Sequence, residues 1–275
     1  AVSLKIDPTG KAFVTLHSPF WGNSPETVAV QILAEQFTLD PSNIEVTYSD
    51  SDQGFNSTGP GGSRFTVMVA GAVVGASHKI KAKLLRIAGH LMEADTADLE
   101  FRDGAVSLKG APEKRLTIAE LANKAHYFRL DLPEDLDLTS GLDTSYVYDH
   151  PVTTLPAKDN SHMGIFYPIM GHMCHIPVIE IDIETGKISF LNYACVHDCG
   201  TMVNPMTLQG HVRGGVVNGI GSALMEHYHY DENGQLQSKV NYKDGKKDGL
   251  YESYYEDGKL SGKGNWKDGE PDGLW

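Results

Sequence analysis

Residues 197–221, HDCGTMVNPMTLQGHVRGGVVNGIG, constrain this chain more than any other stretch. Asn204 and Pro205 stand where a helix would take its cap and its first turn. Glycines follow at 210, 214, 215, 219 and 221. Each interior glycine costs a helix about 1 kcal/mol relative to alanine. A helix that keeps so many is expected to let another backbone or a ligand come close. Its N-terminus would also present free N–H groups to an anion. On these residues alone two outcomes stay open: a helix packed tightly on a sheet, or one wall of a site for a phosphate-bearing ligand.

The rest of the chain supplies a core for such a helix. Of 275 residues 40% are hydrophobic and 21% charged, enough for one large domain or two smaller ones. The net charge of -13 argues against nucleic acid and against anionic membranes as partners. No apolar run approaches the roughly 20 residues that span a bilayer. Three cysteines, 174, 195 and 199, are too few for a disulfide framework and fit a reducing, cytoplasmic compartment. The N-terminal residues AVSLKIDPTG have the pattern of a strand and turn, not of a signal peptide.

Taken in order, residues 2–6 and 12–16 alternate around Asp7-Pro8-Thr9-Gly10 as a hairpin. Ser24 as cap, Pro25 and apolar residues at 28, 32, 33 and 37 predict a helix over 25–37. Residues 44–48 are a short strand, and 65–93 a buried helix. Asp103-Gly104 turns a hairpin over 98–108, and Thr117 with Glu120 opens a helix over 117–126 as a capping box. Residues 127–177, with prolines at 133, 151, 156, 168 and 177, are expected to be irregular. Strands over 178–182 and 187–196 then lead into the glycine-rich stretch.

Residues 50–64, DSDQGFNSTGPGGSR, form the second unusual stretch. Such a loop feeding a helix can offer N–H and O–H groups, and a guanidinium, to phosphate. A flexible surface loop is the plainer alternative. Asp50 and Asp52 are expected to order that loop. Neither the Gly-Lys-Ser/Thr of a Walker loop nor a G-x-G-x-x-G fingerprint is present. His172, Cys174, His175, His197 and Cys199 do not have the paired spacing of a zinc site, and are expected to line the core or a cofactor pocket.

Composition changes at about residue 238. YKDGKKDGLY at 242–251 recurs as WKDGEPDGLW at 266–275, with Asp-Gly turns at 244–245, 257–258 and 268–269. This is a run of short antiparallel hairpins, and it resembles MORN-type repeats. Repeat arrays normally need about three units, so the tail is either truncated or leans on the larger domain.

Three segments carry a further resemblance: WGNSPETVAVQILAEQF at 21–37, GPGGSRFT at 59–66, and 178–236 around the glycine-rich helix. They are similar, in order and separation, to the molybdenum-cofactor-binding region of molybdenum hydroxylase large subunits, the xanthine dehydrogenase, aldehyde oxidase and carbon monoxide dehydrogenase superfamily. The resemblance implies an α+β fold over 1–237, a mixed sheet with long packed helices, followed by hairpin repeats over 238–275. It implies a molybdenum–molybdopterin cofactor, in the cytosine dinucleotide form, and hydroxylation of an aldehyde or aromatic heterocycle with water as oxygen donor. FAD and [2Fe-2S] centres would sit on partner subunits.

By position, the resemblance implies cofactor contacts at Gly22 and Asn23, where the family carries a glutamine. It implies phosphate contacts at Gly61, Gly62, Ser63 and Arg64, and pterin contacts at His211, Gly214 and Gly215. His211 replaces a glutamine, so it offers one donor in place of an amide. The family's upstream half and its general-base glutamate have no counterpart here, so no catalytic residue is expected. Glu270, in a Gly-Glu-Pro triplet, aligns with Lys246 of the other repeat copy and is rejected as a base. The competing expectation is a non-catalytic remnant or fusion acting through its repeat tail.

Overall fold

The computed structural model describes residues 1–19, 22–50, 52, 54–55, 65–159, 161–165, 170–232 and 234–273. The chain divides into two compact units, Ala1–Val203 and Asn204–Trp275.

The first unit begins with β1 (Val2–Ile6) and β2 (Ala12–Leu16), paired antiparallel as their alternation predicts. Asp7 closes the turn, its carboxylate accepting from the Thr9 and Lys11 N–H groups. Helix α1 (Pro25–Phe37) then crosses to β3 (Ile44–Tyr48), which pairs parallel with β2. Helix α2 (Phe65–Met92) follows. Its residues Ile80, Leu84 and Ile87 are 0% exposed, at the spacing of one helical face. Burying each such side chain contributes about 1.5–3 kcal/mol.

A second sheet of three strands comes next: β4 (Leu99–Arg102), β5 (Ala105–Leu108) and β6 (Ala111–Thr117). Helix α3 (Ile118–Tyr127) has the predicted capping box, with Thr117 Oγ1 accepting from the Glu120 N–H at 3.1 Å and the Glu120 carboxylate accepting from the Thr117 N–H at 2.7 Å. Strand β7 (Asp143–Tyr146) pairs antiparallel with β1 and completes a mixed four-stranded sheet in the order β3-β2-β1-β7. The 127–177 region is therefore not wholly irregular. Helix α2 packs on α1, α3, β1 and β7. Gly71 and Gly75 of α2 make room for Tyr148 and Tyr146: an added Cβ at either would stand 2.4 Å from a ring carbon.

The unit ends in a long hairpin, β8 (His172–Ile181) with β9 (Ile188–Asp198). It is longer than the sequence predicts, and every residue of β8 is exposed. His172, Cys174 and His175 are thus on the surface, so of the two settings expected for them, core or cofactor pocket, they do not take the first.

The second unit opens with α4 (Pro205–Leu224), none of whose residues is buried. Strands β10 (Glu226–Tyr230), β11 (Leu236–Lys243), β12 (Lys246–Tyr254), β13 (Leu260–Lys267) and β14 (Glu270–Asp272) form one antiparallel meander. Asp244-Gly245 and Asp268-Gly269 have positive φ at both residues (48° and 76°, 52° and 94°), as a tight hairpin turn of this hand needs. Strand β11 spans the composition change and pairs with β10, so the tail continues a sheet begun ahead of it. Val240 is buried, and Tyr251 meets Trp266 edge to face at 6.4 Å. Lys247 lies 4.6 Å above the Trp266 ring, and Glu252 pairs with Lys263 across the strands at 3.1 Å. Cross-strand pairs of this kind hold a thin sheet in register.

Candidate cofactor-binding residues

In the first unit the 22–24 segment lies between β2 and α1, directly ahead of the helix. Gly22 has φ 76°, and an added Cβ there would meet nothing within 4 Å. Asn23 is half-buried. Ser24 does not cap α1 as its sequence position suggests: it is left-handed (φ 51°, ψ 49°) and its side chain makes no cap hydrogen bond. A capping side chain reaches the first-turn N–H groups from extended backbone, and the left-handed turn points it elsewhere. Pro25 at the first helical position removes one of those donors in any case.

Two residues just ahead of this segment escaped the sequence reasoning. His17 and Ser18 are 8% and 7% exposed. The Phe55 N–H donates to His17 Nδ1 at 3.2 Å, so Nε2 carries the proton of the neutral ring and donates to Ser3 Oγ at 2.8 Å. Burial holds the His17 pKa below the ordinary imidazole value. Ser18 Oγ is buried and has no hydrogen-bond partner among the described residues. The signal was a polar pair ending an alternating strand, which is easily taken for the start of a surface loop.

Gly61, Gly62, Ser63 and Arg64 lie outside the described residues. At the near end of the same loop Asp50 accepts from the Asp52 N–H at 2.8 Å, the ordering role expected of it.

In the second unit Asn204 caps α4, its side-chain oxygen accepting from the Thr207 N–H at 3.0 Å. An added Cβ at Gly210, Gly214, Gly215, Gly219 or Gly221 would meet nothing within 4 Å. Three and four residues on from His211, Gly214 and Gly215 share its side of α4 and offer bare backbone there to a flat group. His211 Nδ1 donates to the Thr207 carbonyl at 2.8 Å. That bond consumes the single donor of the neutral ring and leaves Nε2 as an acceptor. Toward a ligand His211 thus offers the opposite polarity from the donor that its ring was expected to supply.

The residues present fit a pterin on these observations. An acceptor at His211 suits the N–H donors of a pterin ring, and Gly214 and Gly215 beside it let such a ring approach the helix. Among the described residues no three His, Cys, Asp or Glu side chains gather as a metal site, and no helix is long and apolar enough to cross a membrane.

Residues 1–242 match the molybdopterin cofactor-binding domain, and 247–268 match a MORN repeat variant. The chain belongs to the family of molybdopterin cofactor-binding domains. It is 30% identical over 236 residues to the nicotine 6-hydroxylase large subunit of Paenarthrobacter nicotinovorans, covering 86% of this chain and 27% of that protein. Identity and coverage are the same for the carbon monoxide dehydrogenase large chain of Afipia carboxidovorans. Among solved structures it resembles quinoline 2-oxidoreductase from Pseudomonas putida 86 with a TM-score of 0.72 and 30% identity, over 86% of this chain and 28% of that one. The chain spans about a quarter of the length of these relatives. The α+β architecture expected from the sequence agrees with these relatives, and the antiparallel strand order of the tail agrees with the hairpins expected there.

Proposed function

We propose that this chain is a molybdopterin-binding segment of a molybdenum hydroxylase. The observation that carries the proposal is the open glycine face of α4, with its outward acceptor at His211, inside the stretch matched to the family. In this reading His211 Nε2 accepts from a pterin N–H, and Gly214 and Gly215 let the ring lie close to the helix backbone. Gly22 and Asn23 are assigned cofactor contacts by the family resemblance alone. Gly61, Gly62, Ser63 and Arg64 hold the phosphates of a cytosine dinucleotide form, backbone N–H groups and a guanidinium being suited to that charge. The bound group supplies the redox chemistry that hydroxylates an aldehyde or aromatic heterocycle with oxygen from water. FAD and [2Fe-2S] centres on partner subunits take the electrons. Glu270 is exposed on β14 beside its hairpin partner Lys267, and is assigned no proton-transfer role.

The test is metal and pterin analysis of the chain purified from cells that make the cofactor. Molybdenum with a releasable pterin cytosine dinucleotide supports the reading; a folded chain free of both contradicts it. A second reading rests on the tail, whose 247–268 segment matches a MORN repeat variant within a five-stranded sheet. In it the chain is a non-catalytic remnant or fusion acting as an interaction module, and it would be folded and pterin-free.

A further inference from the structure

We propose that Cys195 is a reactive thiol, oxidised by peroxide, with His175 as its base and Tyr193 as the residue that positions that base. The register of β8 and β9 sets His175 directly opposite Cys195, so both side chains share one face of the hairpin. Cys195 Sγ stands 3.6 Å from His175 Nε2. The other ring nitrogen, Nδ1, is 3.2 Å from the Tyr193 hydroxyl, and the two rings meet edge to face at 5.9 Å. With Nδ1–H donating to the Tyr193 oxygen, Nε2 is unprotonated and can accept the thiol proton. Nucleophile, base and orienting group thus stand in sequence, the arrangement that activates a thiol. His197 is two residues further along the same face of β9, and its Nδ1 is buried without a partner among the described residues.

The other cysteines lack this setting. Cys174 pairs with Val196 on the opposite face, and Cys199 lies past the end of β9. Both are exposed, whereas Cys195 is half-buried. Accessibility and activation therefore rank the three thiols in opposite orders.

In the reaction the Cys195 proton passes to His175 Nε2, and the sulfur attacks one oxygen of hydrogen peroxide. An S–O bond forms as the O–O bond breaks. The departing hydroxide takes the proton and leaves as water, so the thiol is oxidised to a sulfenic acid and the peroxide is reduced. The oxidant is an external peroxide.

The test treats the full chain with hydrogen peroxide in the presence of dimedone and measures the adduct at each cysteine by peptide mass spectrometry. Labelling at Cys195 about ten-fold faster than at Cys174 and Cys199 is expected. His175→Ala should bring Cys195 down to about the rate of the other two. Tyr193→Phe keeps the ring against His175 and removes only the hydroxyl; it should slow Cys195 several-fold and leave Cys174 unchanged. Labelling of Cys174 or Cys199 as fast as Cys195 overturns the proposal. So does an unchanged Cys195 rate in both variants, with circular dichroism showing the fold intact.

Discussion

Substituting Gly75 by alanine should destabilise the first unit, although alanine is the better helix former. On propensity alone the change favours the helix by about 1 kcal/mol. Against that, the new Cβ would stand 2.4 Å from Tyr146 Cε1 and 2.5 Å from Cζ. The ring cannot slide freely: Tyr146 ends β7, registered against Val2 of β1, and Lys79 lies 5.2 Å from its centroid. Overpacking a filled site costs about 1–3 kcal/mol; with a cost of about 2 kcal/mol the net loss should be about 1 kcal/mol. A Tyr146→Ala background removes the ring and should reverse the sign, with Gly75→Ala then gaining up to about 1 kcal/mol. A double-mutant cycle in urea, followed by near-ultraviolet circular dichroism, measures the coupling, expected at about 2 kcal/mol. A Gly75→Ala protein as stable as the parent, or an equal cost in both backgrounds, would refute the argument.

Thr117→Ala removes the hydroxyl half of the α3 capping box and should cost about 1 kcal/mol by urea denaturation. Because burial lowers the His17 pKa, the folded state binds fewer protons than the unfolded one below the ordinary value near 6.5. The stability tied to this neutral ring is whole above that pH and lost as pH falls toward the depressed folded value, so unfolding should become easier as pH drops below about 6.5 and His17→Gln should flatten that slope. An added Cβ at Gly215 meets nothing within 4 Å, so Gly215→Val should leave the circular dichroism unchanged while abolishing pterin retention. If the fold is kept and the pterin stays bound, the open face of α4 is not where the cofactor lies.

Local chemistry made much of this fold legible. The capping box of α3, the Asn204-Pro205 start of α4 and the Asp-Gly turns of the tail each depend on residues close in sequence, and each forms as expected. Strand β7 was not legible: Asp143–Tyr146 is mostly polar, and its partner β1 lies far back in the chain. Strand β6, whose AlaProGluLysArgLeuThr segment has only two aliphatic side chains, was missed for the same reason. Ser24 has the right residue type for a cap and the wrong backbone conformation, which composition does not reveal. Among the candidate binding residues the glycines of α4 were visible as a pattern. The polarity of His211 was not, because it depends on which ring nitrogen meets the Thr207 carbonyl. Likewise, His175 and Cys195 become neighbours only through the register of a hairpin with a bulge between Val178 and Ile179.

Whether this chain holds a pterin separates the two readings of its function. Fluorescence of the oxidised pterin released from denatured protein, with molybdenum measured on the same sample, decides it. The open α4 face and the family match predict both in equal amount, with pterin falling sharply in His211→Ala. A well-folded chain that releases no pterin would contradict the central claim.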